Sequence, residues 1–171
     1  MKGNDQNMGH PGRAILLDWE NYDDYMEKYT PDADDKTRFE FAFKLKNNVN
    51  EDHYLMIILP TFGPSQVVAA MRGFNTYLID HKNHPQELKQ ALELVADYHV
   101  KLIKASFKYG LNSDGIWLVD DLGEQKGPFF GPKMFKKHYE SSYKYIIDEA
   151  HALGVDVHHH CCGKMIHYCL F

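Results

Sequence analysis

Near its C-terminal end the sequence runs His158-His159-His160-Cys161-Cys162-Gly163. Side chains alternate along a strand, so His158, His160 and Cys162 would share one face and His159 and Cys161 the other. An imidazole and a thiolate two residues apart can reach one metal ion from the same side. Zinc accepts both ligand types, and a catalytic zinc site needs a third protein ligand and an open position. Gly163 permits a sharp turn where the strand stops. The spacing also fits blander readings: a strand cysteine is often a small buried apolar residue, and consecutive histidines bind metal adventitiously.

A second group is Asp120-Asp121, followed by Gly123, Glu124 and Gln125. Adjacent strand carboxylates point to opposite faces, so one enters a pocket while the other caps a helix or pairs with a basic side chain. A carboxylate at a strand mouth can accept a substrate's hydrogen bonds, hold a cation or move a proton. An Asx-type turn after a strand would favour the same residues.

The elements that must position these groups follow from periodicity. Ala14–Leu17 is a short apolar run expected as a strand, and Trp19–Tyr29 a short helix stopped by Pro31. A helix is expected from Asp34-Asp35 to about Asn47, with Phe39, Ala42 and Phe43 at helical steps. Leu55–Leu59, ended by Pro60, has the pattern of a strand buried on both faces. Gly63-Pro64-Ser65 opens a helix to about Arg72, with Gly73 just past its end. Pro85 suits the first turn of a long helix that carries Leu88, Leu92, Val95 and Leu102 on one face and ends by Gly110.

Gly115–Val119 is a second buried strand with Trp117 expected in the core, and it leads into Asp120-Asp121. A loop rich in Gly and Pro reaches Pro132. A helix with Tyr139, Tyr143, Ile146, Ala150 and Leu153 on its apolar stripe then closes at Gly154. Val155-Asp156-Val157 starts the third strand. Strands alternating with amphipathic helices give βα units and a parallel sheet, whose ligands bind at the carboxyl ends of the strands.

Composition narrows the class. The 171 residues, 44% hydrophobic, suffice for one sizeable core, so a flexible segment 1–13 and a single domain 14–171 are expected. A formal net charge of −5 without a basic stripe argues against a nucleic-acid partner. The Lys-rich stretch Lys133–Lys137 reads as a solvated helix face. No signal peptide is visible, and Leu55–Leu59 is far too short to span a bilayer. The 3 cysteines all lie near the C-terminus, which disfavours a disulfide framework and points to the cytoplasm.

The run from Asp114 through Trp117, Asp120-Asp121, Gly123 and Gln125 to Gly131-Pro132 resembles the middle of uroporphyrinogen-decarboxylase-like proteins. So does the helix from Tyr143 to Gly154 with the strand into His160-Cys161-Cys162-Gly163, which matches the family's H-x-C-G strand end. Arg72-Gly73-Phe74 and the helix after His84-Pro85 fall in a compatible order. The resemblance spans about Trp19 to Met165 and implies a (β/α)8 TIM barrel with its active site at the C-terminal mouth.

Two branches of that superfamily are relevant. Decarboxylases act on a tetrapyrrole without metal, whereas corrinoid-dependent methyltransferases hold zinc through the His and Cys of H-x-C and a much later Cys. The match implies His160 and Cys162 as the zinc pair, and Asp120 and Asp121 as catalytic carboxylates that orient the substrate or a zinc-bound group. Gln125 and His158 are expected to bind substrate, a small thiol or a tetrapyrrole, with a corrinoid protein as a further partner. A full barrel needs roughly 250 residues. The chain is therefore expected to form roughly half the strands, as a truncated or frame-shifted product whose open edges favour self-association. Cys169 follows Cys162 too closely to stand in for the late ligand.

Overall fold

In the computed structural model, which describes residues 14–49, 52–59 and 61–164, the βα alternation is realised as one parallel sheet under a layer of helices. The strands are β1 (Met56–Ile58), β2 (Gly115–Val119), β3 (Gly123–Glu124), β4 (Gly127–Pro128) and β5 (Asp156–His160). The helices are α1 (Tyr22–Tyr29), α2 (Glu40–Lys46), α3 (Pro64–Arg72), α4 (Phe74–Asn83), α5 (Pro85–Lys108), α6 (Pro132–His138) and α7 (Glu140–Ala152). The segment 1–13, Pro60, Cys169 and the tail from Ile166 lie outside the described residues.

The sheet has the order β1-β2-β5, all parallel, with Ile58 opposite Trp117 and Trp117 opposite His158. Each strand thus neighbours the next parallel strand in the sequence, as in a barrel wall. Crossovers run through α3–α5 and then α6–α7. The 24-residue α5 starts on Pro85, buries Leu88, Leu92, Val95 and Leu102 as expected, and gives way to Gly110 at φ +88. Tyr143, Ile146 and Ala150 of α7 are buried too, and Gly154 ends that element at φ +74. Ile116 and Leu118 of β2 point into this layer and join Leu88, Leu92 and Ile146 in one core cluster.

Among the described residues the helices cover only one face of the sheet. This corrects the expectation that Leu55–Leu59 is buried on both faces: β1 is shorter, and Ile58 is 63% exposed. It also moves Trp117 out of the core, to a half-buried position on the open face. Ala14–Leu17 is not a strand either. Its amides at Ile15 and Leu16 both donate to Met71 O (3.0 Å each), and Arg72 Nη1 donates to Leu16 O and Leu17 O at 2.8 and 2.6 Å. Those backbone groups are taken by the end of α3 instead of a neighbouring strand. Arg72 also forms a buried ion pair with Asp80 (Nε–Oδ2 2.7 Å) and stacks over Trp19.

Three further differences are local. The helix expected after Pro132 breaks at Tyr139 into α6 and α7, α4 occupies 74–83 where no element was expected, and the Gly-rich loop contains the antiparallel β3–β4 hairpin. Among the described residues no helix is long and apolar enough to cross a membrane.

Candidate functional site at the strand ends

The two carboxylates after β2 go opposite ways. Asp120 turns under the helical layer and is fully buried. It accepts hydrogen bonds from the amides of Ser65 and Gln66 (2.8 Å each) and from the Tyr143 hydroxyl. The two amides belong to the first turn of α3, so Asp120 satisfies donors that the helix itself cannot. Burial pushes its carboxyl up to about 7, against the lowering effect of those three hydrogen bonds. The close approach needs Gly63: a Cβ there would lie 2.5 Å from Asp120 Cβ, and Gly63 N donates to Val119 O at 2.7 Å. Asp120 thus ties together the first turn of α3, β2 and α7.

Asp121 faces the other way, toward the end of β5. Its Oδ1 accepts from the Cys162 amide at 2.6 Å, and its Oδ2 accepts from Gln66 Nε2 at 3.3 Å. His160 Nε2 lies 3.3 Å from Cys162 Sγ. One ligand atom each from Asp121, His160 and Cys162 falls within 4.8 Å of the others, with Asp121 half-buried and the other two exposed. Hydrogen bonding to the Asp121 carboxylate, and its charge, push the Cys162 thiol up from its ordinary value. The Trp117 ring stands 6.1 Å from the His160 ring on the same open face.

Strand alternation accounts for Cys161. It points inward, packs against the core and accepts a hydrogen bond from Leu122 N at 3.1 Å, so the bland reading of a strand cysteine fits it. Gly163 has φ +96, and a Cβ on it would lie 2.6 Å from Glu124 O. Lys164 N donates to that same oxygen at 3.0 Å, so the β3–β4 hairpin docks directly on the end of β5.

The other expected site residues are not gathered with these. His158 shares the open face but turns to Tyr54, whose hydroxyl is 3.0 Å from His158 Nε2 and 3.0 Å from Asp156 Oδ2. Gln125 sits exposed at the hairpin tip. Gln66 was not anticipated, although the first turn of a helix that follows a strand is a place to look. A buried hydroxyl chain also went unforeseen: Ser65 Oγ meets Tyr77 Oη at 2.6 Å, and Tyr77 meets Tyr139, which meets His81 Nε2.

A concavity of about 820 Å³ lies elsewhere, between residues 26–34 and α5. It is lined by residues such as Met26, Pro31, Tyr98 and Lys101 and carries ordinary ion pairs, including Lys101–Asp97 at 2.7 Å along α5. Large clefts are the default place for a ligand, but this one gathers no group with a metal-binding or nucleophilic partner. The strand ends do.

Comparison with known proteins identifies the family. The uroporphyrinogen decarboxylase (URO-D) family profile matches residues 17–170. Among solved structures, a methyltransferase from Methanosarcina mazei superposes with a TM-score of 0.56 at 18% identity, over 70% of this chain and 33% of that one. The chain therefore spans about a third of that protein's length. No curated protein matches. With its profile matched across both strand ends, the chain belongs to the uroporphyrinogen decarboxylase family.

Proposed function

We propose that the chain contributes to a zinc-thiolate methyltransferase acting with a methyl-corrinoid, its three parallel strands being an arc of a (β/α)8 barrel wall. The observation that carries this reading is the 3.3 Å approach of His160 Nε2 to Cys162 Sγ, with an Asp121 oxygen close by, at the carboxyl end of β5. Donor atoms around a tetrahedral zinc, with bonds of about 2.0–2.3 Å, lie roughly 3.3–3.8 Å apart. The His160–Cys162 pair fits that spacing with little rearrangement. The likeness to a methyltransferase supports the same branch.

Zinc supplies, when bound, the positive charge that keeps a substrate thiol as thiolate at neutral pH. The chain's own groups do the rest. His160 and Cys162 hold the ion, and Asp121, fixed at both oxygens, orients what binds beside it. Trp117 and Val119 form an apolar floor that limits water on the open face. Asp120 holds the first turn of α3 against the mouth from below. His158, further down the same face, and Gln125, on the hairpin, would meet parts of the substrate remote from the thiol. A reducing cytoplasm would keep Cys161 and Cys162 as thiols.

The test is zinc content of the purified chain and of His160→Ala and Cys162→Ser. One zinc per chain in the parent and none in either variant is expected; no stoichiometric zinc in the parent overturns the reading. The family match favours a second reading, metal-independent decarboxylation of uroporphyrinogen. Turnover that survives a chelator would support it, and turnover abolished by one would count against it.

A further inference from the structure

Among the described residues, one further group with a ligand atom stands beside His160 and Cys162 at the strand ends. We infer that Asp121 is the third metal ligand and that Gln66 is the positioning residue that aims it. This rests on the zinc reading above and adds what that reading leaves open.

Asp121 is the only carboxylate among the described residues that groups with His160 and Cys162. It is also held in one orientation from two sides. Cys162 N donates to Oδ1 at 2.6 Å from β5, and Gln66 Nε2 donates to Oδ2 at 3.3 Å from the first turn of α3. Gln66 is itself anchored, since its amide donates to Asp120 Oδ1 at 2.8 Å. Each carboxylate oxygen has a lone pair left after accepting one such bond, so neither contact blocks ligation.

Charge makes the same argument. The Cys162 sulfur and the Asp121 carboxylate sit side by side with no cationic side chain hydrogen-bonded to either among the described residues, so a metal-bound Cys162 thiolate would stand next to a second anion. Two neighbouring anions repel, and a divalent cation between them removes the repulsion. One thiolate, one carboxylate and one neutral imidazole would leave a doubly charged ion neutralised, with a position free for a substrate thiol. Gln66 Oε1 is buried without a hydrogen-bond partner, so the amide is turned by its donor end, toward Asp121. Groups that orient a ligand in this way typically contribute 10–100-fold in metal affinity.

The experiment titrates the whole chain with Co(II) alone, following the thiolate-to-metal absorption and the visible bands that report coordination number. The parent should bind one Co(II) with a four-coordinate spectrum. Asp121→Asn should lower affinity at least about 100-fold or shift the visible bands, and Gln66→Met should lower it about 10-fold. Thermal unfolding of the metal-free variants separates a lost fold from a lost ligand. If the parent binds no Co(II), the zinc reading falls and this inference with it. If the parent binds but folded Asp121→Asn keeps its affinity and spectrum, Asp121 is not a ligand and only the inference falls. If Asp121→Asn is impaired and Gln66→Met is not, the role of Gln66 is overturned.

Discussion

Asp120 and Asp121 are the same residue type on consecutive positions, yet they live in different media. The pleat sends Asp120 beneath the helical layer, where it is fully buried and meets three donors from two other elements. It sends Asp121 to the open face, beside an exposed imidazole and an exposed thiol. Burial turns the first into a structural strut whose charge is costly. Half-exposure leaves the second, though held in orientation, within reach of what binds on the open face, which is what a ligand or substrate contact requires. Motif matching cannot separate the two; the position of the helices does.

The contrast can be broken most directly at Asp120. Asp120→Ala strands two amides and a buried tyrosine hydroxyl and should cost about 3–5 kcal/mol in urea unfolding. A smaller effect, about 2 kcal/mol, is expected for Gly163→Ala, which combines a left-handed φ with a contact against the hairpin backbone. That variant should also weaken metal binding, because the hairpin must move away from the strand end. Unchanged stability would show that the hairpin is not docked there.

Acidity gives a third handle, measured in the presence of a chelator. Because the folded-state value of Asp120 is raised to about 7, the contribution to stability is full below the ordinary carboxylate range, near pH 4. It is lost as pH rises through about 7. Asn at this position cannot ionise, so the stability of the parent relative to Asp120→Asn should fall between about pH 4 and 7 and level off above. A flat difference would mean that Asp120 titrates like a surface acid. The smallest change is reserved for Asp121→Ala in the metal-free chain, about 1 kcal/mol or less. A loss as large as that of Asp120→Ala would erase the distinction between the two faces.

Much of this was readable from the residues alone. The strands at Gly115–Val119 and Asp156–His160, the helix from Pro85 and the turn at Gly163 all carry strong local signals, and local preference and tertiary packing agree there. Alternation also separated His160 and Cys162 from Cys161. The misses share a physical cause: they depend on what packs from outside the segment. Ala14–Leu17 is apolar enough for a strand, but the end of α3 takes its amides. Helix α4 buries Tyr77, Asp80 and His81 while exposing Ile79, so no apolar stripe announces it. The hairpin has arms of two residues each, too short for a periodic pattern. Gln66 gains its meaning only when α3 is set against the ends of β2 and β5.

The parallel register has a kinetic consequence. Met56 can pair with Gly115 only after α3, α4 and α5 have been gathered between them, and Gly115 with Asp156 only after α6 and α7. Closing such long intervals costs entropy before any strand contact repays it, so helices form early and parallel pairing late. The cluster at the mouth needs the β1–α3 loop, β2, the hairpin and β5 all in place. It is therefore among the last features to appear during folding and the first to dissolve on local opening.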